Sequence, residues 1–187
     1  MSLLEQQKLA FIILLFDRLF LTTHNTQLIG GAQEPLYIPS SAKEKPHQLF
    51  FRENFLSSAL HEIAHWCIAG ADRRLQQDFG YWYQPDGRTV DQQQQFESVE
   101  IKPQALEWIF SNACCQKFIP SADNLNASPT QQMDDKGFKI ALINQATQWC
   151  ETNQLPPRGK LFIEALSKKF KVRDPYDLKY YKISYLG

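Results

Sequence analysis

The clearest hydrophobic pattern in the chain lies in the stretch Asn54–Gly70. Its apolar positions are separated by three or four residues and comprise Leu56, Leu60, Ile63 and Cys67. This spacing places them on one face of an α-helix. Gly70 follows the pattern as a helix terminator, and the candidate N-terminal caps are Asn54, Ser57 and Ser58. The stretch therefore predicts a helix with one buried face.

Similar patterns predict further helices at Leu3–Leu21, Pro103–Phe110, Gly137–Thr152 and Lys160–Phe170. Proline suits the first turn of a helix, so we expect the second of these to begin at Pro103. The polar stretch that precedes it contains Gln92–Ile101, where a helix would place Phe96, Val99 and Glu100 on one face. Such a helix would carry Glu100 into the interior beside these apolar residues.

Short strands are predicted at Asn25–Ile29, Pro35–Pro39, His47–Phe51 and Asp78–Tyr83. We expect Gly30 and Gly31 to break the first strand, and Gln84–Gly87 to form a turn. A long loop at Pro120–Lys136 and an extended tail at Arg173–Gly187 complete the chain. Together these elements predict an α+β fold, mainly helical with a few short strands, in one domain over residues 1–187.

The composition of the chain argues against several classes of function. The 187 residues are 43% hydrophobic, which suits a folded domain, and the 20 basic and 20 acidic side chains cancel, which argues against a nucleic-acid surface. The apolar run Leu9–Phe16 is far shorter than the about 20 residues of a membrane span, and it lacks the features of a signal peptide. The cysteines show no C-x-x-C spacing. We expect a cytoplasmic monomer with reduced thiols that binds neither nucleic acid nor membrane.

The predicted helix at Asn54–Gly70 contains the pattern HExxH, in which His61 and His65 stand one turn apart. Both imidazoles can then reach one metal ion, with metal–nitrogen distances of about 2.0–2.1 Å. Glu62 lies about 100° further round the helix and projects beside the ion. The sequence therefore predicts a metal site on this helix, with Glu62 as the catalytic side chain.

A third protein ligand is expected, because catalytic metal sites usually have three. The candidates are acidic residues in the stretch Gln95–Trp108, with Glu100 preferred, because the helix would carry it into the interior, and Glu97 as the alternative. The two remaining histidines, His24 and His47, have no ligand-type neighbours and are expected to be surface or capping residues. Arg73 and Arg74 are expected on a solvated face, with docking of an acidic partner as the alternative.

Two histidines and one carboxylate suit more than one chemistry. With zinc, Glu62 would act as the general base of a metallopeptidase. With ferrous iron, the same ligand set is that of non-haem oxygenases, and Glu62 would then orient a ligand or the substrate amine. A metal-stabilised binding module without catalytic activity is a third alternative. The spacing of the residues does not separate these alternatives.

Four segments of the chain are distinctive in combination: HEIAHWCIAG at His61–Gly70, DFGYWYQPDGR at Asp78–Arg88, FESVEIKPQALEW at Phe96–Trp108 and IGGAQEPLYIP at Ile29–Pro39. In these segments the sequence resembles the elongation factor P hydroxylase family. The region that they span, mostly between Ile29 and Phe110, covers about half of the chain. The first helix and the residues after Leu125 resemble the family only loosely, and nothing is inferred from them.

The resemblance implies an oxidoreductase, a protein-lysine monooxygenase rather than a peptidase. Its substrate would be elongation factor P that carries a β-lysylated lysine, and the reaction would hydroxylate that modified side chain. The implied cofactor is non-haem Fe(II), with zinc as another possible divalent metal, and dioxygen would be the co-substrate. The implied ligands are His61, His65 and Glu100, with Glu62 as an acid–base or orienting residue. The segments Asp78–Tyr83 and Asp86–Arg88 are expected to form an ordinary core strand and a hairpin turn, with the wall of the substrate channel as the alternative.

Overall fold

A computed structural model describes residues 2–42, 44–80, 88–121 and 136–186. This part of the chain contains five α-helices, one three-stranded sheet and four short 3-10 turns, which confirms a mainly helical α+β fold. The chain divides into two compact units. The first comprises Met1–Tyr81 and Pro157–Ala165, and the second comprises Trp82–Pro156 and Leu166–Gly187. The single domain over residues 1–187 stays a prediction.

The sheet lies in the first unit and is formed by β1 (Thr26–Ala32), β2 (Leu36–Ile38) and β3 (His47–Arg52). β3 is the central strand; it pairs in parallel with β1 and antiparallel with β2. Leu49 of β3 lies opposite both Leu28 and Tyr37, and all three side chains are buried. The first three predicted strands are therefore confirmed.

β1 is longer than predicted because two glycines carry the strand through a bulge. The register between β1 and β3 shifts between Ile29 and Ala32. Gly31 has φ +85°, a conformation that favours glycine, and its N–H donates to the carbonyl of Glu53. A Cβ atom at Gly30 would lie 2.6 Å from Cζ of Phe51. The prediction that these glycines break the strand was wrong, because a glycine bulge keeps β1 paired with β3.

Helix α1 covers Leu3–His24 and helix α2 covers Leu56–Ile68. Ser2 and Glu5 form a capping box at the start of α1, and Asn25 ends the helix in the left-handed conformation. α1 packs against β1 and α2. The predicted apolar stripe of α2 is confirmed, since its members are all 5% exposed or less: Leu56, Leu60, Ile63 and Cys67.

The predicted N-terminal caps of α2 were wrong. Phe55 occupies the cap position, and no side chain caps the helix there. The hydroxyl of Ser58 instead accepts a hydrogen bond from the N–H of Arg52 at 2.9 Å, which ties the first turn of α2 to the end of β3. At the other end the helix stops at Ile68, and Ala69 turns to ψ 122° just before Gly70.

The strand predicted at Asp78–Tyr83 was wrong in its described part. Residues Gln77–Gly80 form a 3-10 turn that follows another at Arg73–Leu75. The Oδ1 atom of Asp78 accepts a hydrogen bond from the N–H of Tyr37 at 3.1 Å. The backbone N–H of Tyr37 in β2 is thus paired with a side-chain carboxylate rather than with a further strand. Residues 81–83 and the turn predicted at Gln84–Gly87 lie outside the described residues.

The second unit is built on α3 (Val90–Ala113), which packs against α4 (Lys136–Thr152). Thr89 and Gln92 form a capping box at the start of α3. The stretch Gln92–Ile101 is therefore helical, and Pro103 lies inside the helix rather than in its first turn. Proline removes one helical hydrogen bond. The apolar residues that follow it offset this cost, because all are 2% exposed or less: Ala105, Leu106, Trp108, Ile109 and Phe110.

α5 covers Pro157–Phe170 and begins earlier than predicted, because Pro157 occupies its first helical position. The predicted extended tail was wrong, since it contains 3-10 turns at Leu178–Tyr180 and Ile183–Tyr185. Residues 122–135 of the predicted loop lie outside the described residues, and Lys136 belongs to α4. In the described part of the chain, no helix combines the length and hydrophobicity that a membrane crossing requires.

Candidate metal centre

His61 and His65 lie one turn apart on α2, and their side chains face one another. Their Nε2 atoms are 3.1 Å apart, and the ring centroids are 4.7 Å apart with an interplanar angle of 71°. Both residues are half-buried. The prediction that these two imidazoles converge is therefore confirmed.

The distance between the imidazole nitrogens fits two ligands of one metal ion. Two metal–nitrogen bonds of about 2.05 Å put the nitrogens about 2.9 Å apart at a right angle and about 3.3 Å apart at the tetrahedral angle. The observed 3.1 Å lies between these values. Without an ion, one imidazole can donate an N–H to the other at the same distance, depending on the tautomer. The pair can therefore take up a cation with little movement of either ring.

The C-terminal end of α2 is held by the guanidinium group of Arg158. Its Nη2 atom lies within hydrogen-bonding distance of three carbonyl oxygens, those of Trp66 at 2.8 Å, Cys67 at 3.1 Å and Ala69 at 2.6 Å. The guanidinium carbon also lies 4.6 Å from the ring centroid of Trp66. The last carbonyls of a helix have no partner within it, and a cation suits the negative end of the helix dipole. Arg158 thus stabilises the turn that carries His65.

Arg74 supports the same end of α2, since its Nη1 atom donates to the carbonyl of Ala69 at 2.6 Å. The solvated face predicted for Arg73 and Arg74 is therefore wrong for Arg74, which is half-buried, whereas Arg73 is exposed. Burial, and then the charge of Arg74, lower the pKa of Arg158.

Glu100 lies on α3 and is buried, with 1% of its surface exposed. Its Oε2 atom accepts a hydrogen bond from Nε2 of Gln104 at 3.1 Å. Glu97, one turn earlier, is half-buried, and its Oε1 atom accepts from Nε2 of Gln93 at 2.9 Å. The prediction that the helix carries Glu100 into the interior is confirmed.

His61, His65 and Glu100 form a group that could hold a metal ion. Each offers one ligand atom, and these atoms all lie within 4.8 Å of one another. In the described part of the chain this is the only such group of three, and it contains neither Glu97 nor the two other histidines. Two neutral nitrogens and one carboxylate oxygen are a donor set that suits iron or zinc.

Glu62 is half-buried on α2 between the two histidines in sequence. Its role as the catalytic side chain stays a prediction. Trp66 and Cys67, which follow the pair, are buried packing residues. Burial raises the pKa of the Cys67 thiol to about 12, so this cysteine remains protonated at neutral pH.

The other two histidines have structural contacts. The ring of His24 packs edge-on against Phe20 and Trp66, and Nδ1 of His47 accepts a hydrogen bond from the N–H of Ser40 at 2.8 Å. Burial lowers the pKa of both imidazoles, and the charge of Arg74 adds to the effect. Both histidines are half-buried rather than on the surface.

Sequence reasoning missed Gln104 and Arg158. Gln104 is four residues after Glu100, and this spacing on a helix is a signal for a side-chain hydrogen bond. Arg158 has no local signal, because its carbonyl partner at Trp66 is 92 residues away in sequence.

A comparison with known proteins identifies the relatives of this chain. The model of the family described as elongation factor P hydroxylase matches residues 15–180. The chain belongs to the elongation factor P hydroxylase family. It is 41% identical over 179 residues to a protein of Haemophilus influenzae named elongation factor P lysine hydroxylase, covering 96% of this chain and 98% of that protein. The resemblance inferred from four segments is confirmed, and the elongation factor P hydroxylase match extends well beyond them into α4 and α5.

Proposed function

We propose that this protein hydroxylates the β-lysylated lysine side chain of elongation factor P at a non-haem Fe(II) centre. One observation carries the proposal: His61, His65 and Glu100 offer ligand atoms within 4.8 Å of one another in a chain of the elongation factor P hydroxylase family. The Haemophilus influenzae relative, whose name states that it hydroxylates a lysine of elongation factor P, supports the substrate. A protein that modifies a translation factor would act in the cytoplasm, and we expect it to act as a monomer without binding nucleic acid.

In this proposal the three ligands contribute different donor atoms to the ion. His61 and His65 supply neutral nitrogen donors from one helical turn, and Glu100 supplies a negative charge that partly neutralises a divalent cation. Three protein ligands leave coordination positions open, unlike the closed set of four in structural zinc sites. When bound, ferrous iron would supply the redox chemistry that activates dioxygen. The burial of Glu100 keeps bulk water away from its carboxylate.

Glu62 would hold the substrate amine or move a proton. A β-lysyl group carries ammonium groups, and a half-buried carboxylate next to the metal ligands in sequence is suited to accept a hydrogen bond from one of them. One oxygen atom enters the carbon–hydrogen bond and the other leaves as water. The reaction therefore consumes two electrons and two protons, which a reductant must supply.

A zinc metallopeptidase is the second candidate, because HExxH with Glu62 as general base is also the pattern of zinc hydrolases. It differs in the metal and in the product. It requires zinc, and it cleaves a peptide bond rather than adding oxygen.

The experiment that tests the proposal measures the mass of the substrate. Purified protein loaded anaerobically with Fe(II) is mixed with β-lysylated elongation factor P, ascorbate as reductant and isotopically labelled dioxygen. We expect one labelled oxygen atom on the modified lysine, no addition to the unmodified factor, and no addition with zinc-loaded protein. Unchanged mass with iron bound would contradict the proposal, and a peptide cleavage that zinc supports and Glu62→Gln abolishes would establish the hydrolase.

A further inference from the structure

The side chain of Gln104 connects Glu100 to a distant part of the second unit. Gln104 is 1% exposed on α3, one turn after Glu100. Its Nε2 atom donates to Oε2 of Glu100 at 3.1 Å and to the backbone carbonyl of Ser121 at 2.7 Å. Its Oε1 atom accepts from the backbone N–H of Ser121 at 2.9 Å. All the hydrogen-bonding atoms of this amide are therefore engaged.

The two bonds to Ser121 fix the orientation of the amide. A backbone N–H can only donate and a backbone carbonyl can only accept. The Oε1 atom of Gln104 must therefore face the N–H of Ser121, and its Nε2 atom must face the carbonyl of Ser121. A flipped amide would lose both bonds and would turn its oxygen toward Glu100. Ser121 thus ensures that Gln104 presents an N–H to the carboxylate of Glu100.

We propose that Gln104 is a positioning residue that holds the carboxylate of Glu100 in the orientation in which it binds the metal ion. A buried carboxylate needs hydrogen-bond donors, and a donor from a clamped side chain restricts its rotation. The inference deepens the proposed function, because it rests on Glu100 being a metal ligand. In this proposal Gln104 acts through Glu100 and is not itself a ligand of the ion.

A second glutamine–glutamate pair on α3 provides a matched control. Gln93 and Glu97 have the same separation in sequence, a hydrogen bond of 2.9 Å and low exposure of the glutamine. Gln93 is held in turn by the Nε atom of Arg88, which donates to its Oε1 atom at 2.8 Å. Glu97 is not part of the group that could hold a metal ion. The two pairs therefore share their local geometry and differ in the proposed role.

The test is an anaerobic titration of the full chain with Co(II), followed by its visible absorption bands. We expect Gln104→Met to weaken Co(II) binding about 10- to 100-fold and to alter the absorption bands, as is typical when the partner of a metal ligand is removed. Gln93→Met should bind Co(II) as wild type does. Ser121→Ala should also be unchanged, because only its backbone contacts Gln104.

A double-mutant cycle separates positioning from a general effect on the fold. If Gln104 acts through Glu100, Gln104→Met should weaken Co(II) binding in wild type but have no further effect in Glu100→Ala. Equal Co(II) affinity of wild type and Gln104→Met, or the same loss in both backgrounds, would overturn the proposal. Gln104→Ala replaces the methionine variant if that variant does not fold. If neither variant folds without metal, the amide serves the fold and the proposal is wrong.

Failure of this inference is distinguishable from failure of the proposed function. Co(II) binding is measured without substrate or oxygen, whereas the proposed function is tested by oxygen addition in wild type. A wild type that binds Co(II) through Glu100 but does not hydroxylate the factor would leave Gln104 as a positioning residue of another metal enzyme.

Discussion

Helices α2 and α3 supply the candidate metal ligands, but they are stabilised in different ways. α2 is short and has a continuous buried apolar stripe, and its C-terminal carbonyls are satisfied by arginines from other parts of the first unit. α3 is nearly twice as long, begins with its own capping box and buries several polar side chains, which include Gln93, Glu100, Gln104 and Glu107. The end of α2 depends on distant arginines, whereas α3 pairs glutamine and glutamate side chains along its own length.

The difference shows how each helix can keep a ligand in place. On α2 the two histidines are fixed by the helix itself, since one turn brings their rings together. On α3 the carboxylate of Glu100 accepts a hydrogen bond from the amide of Gln104, which we propose orients it. We expect substitutions on α3 to affect the candidate ligand Glu100 alone, and substitutions at the end of α2 to affect the stability of the whole helix.

The largest expected effect comes from replacing the carboxylate on α3. If Glu100 is a ligand as proposed, Glu100→Ala should abolish hydroxylation and weaken Fe(II) binding by more than about 10- to 100-fold, the loss expected when only a partner of a ligand is removed. Glu97→Ala, one turn away, should retain both. Anaerobic Fe(II) titration and the mass assay provide the measurements. Loss of Fe(II) binding in Glu97→Ala alone would mean that the alternative carboxylate is the ligand.

A smaller effect is expected from the arginine that holds the end of α2. Arg158→Ala removes charge-assisted hydrogen bonds to three carbonyls and should lower the free energy of unfolding by about 1.5–3 kcal/mol. Denaturant unfolding of the metal-free protein measures this change. Arg18→Ala, which removes an exposed arginine on α1, should stay within about 0.5 kcal/mol of wild type. Equal effects of the two substitutions would show that Arg158 does not stabilise α2.

The smallest expected effect is on the pH dependence of stability, and it comes from His47 in β3. The pKa of His47 is lowered from its ordinary value of 6.5 by burial, and protonation of Nδ1 would also break its bond to Ser40. The unfolded chain therefore takes up this proton at a higher pH than the folded protein, so stability falls as the pH drops from about 7 to 5. His47→Asn retains an acceptor and should reduce this fall. Melting temperatures of both proteins across this range test the sign, and a steeper fall in the variant would contradict it.

The sequence predicted the features that depend on local spacing. The apolar stripe of α2 and the HExxH pattern repeat every turn, so the helix and the convergence of His61 and His65 followed from periodicity. Glu100 was identified because a helix through it would bury Phe96 and Val99 on the same side. Local patterns also led to two wrong predictions. Proline favours a helix start at Pro103, but burial of the residues around it keeps it inside α3. Glycine favours a break at Gly30, but pairing with β3 carries β1 past it.

Features that depend on long-range contacts could not be predicted. The 3-10 turn at Gln77–Gly80 places Asp78 on the backbone of Tyr37, 41 residues earlier, although an aromatic stretch favours a strand. The amide of Gln104 forms hydrogen bonds with the backbone of Ser121, and nothing in the intervening sequence indicates that contact. Such contacts arise only once the elements are packed.

The bond from Arg158 to the end of α2 has a consequence for biosynthesis. A ribosome releases the chain from its N-terminus, so the turn that bears His65 emerges long before the guanidinium that caps it. Until then Arg74 can still donate to the carbonyl of Ala69, but the carbonyls of Trp66 and Cys67 lack the guanidinium of Arg158. A nascent chain interrupted before residue 158 would therefore lack one of the two arginines that hold the turn of His65, and we expect this turn to become firm only after Arg158 has emerged.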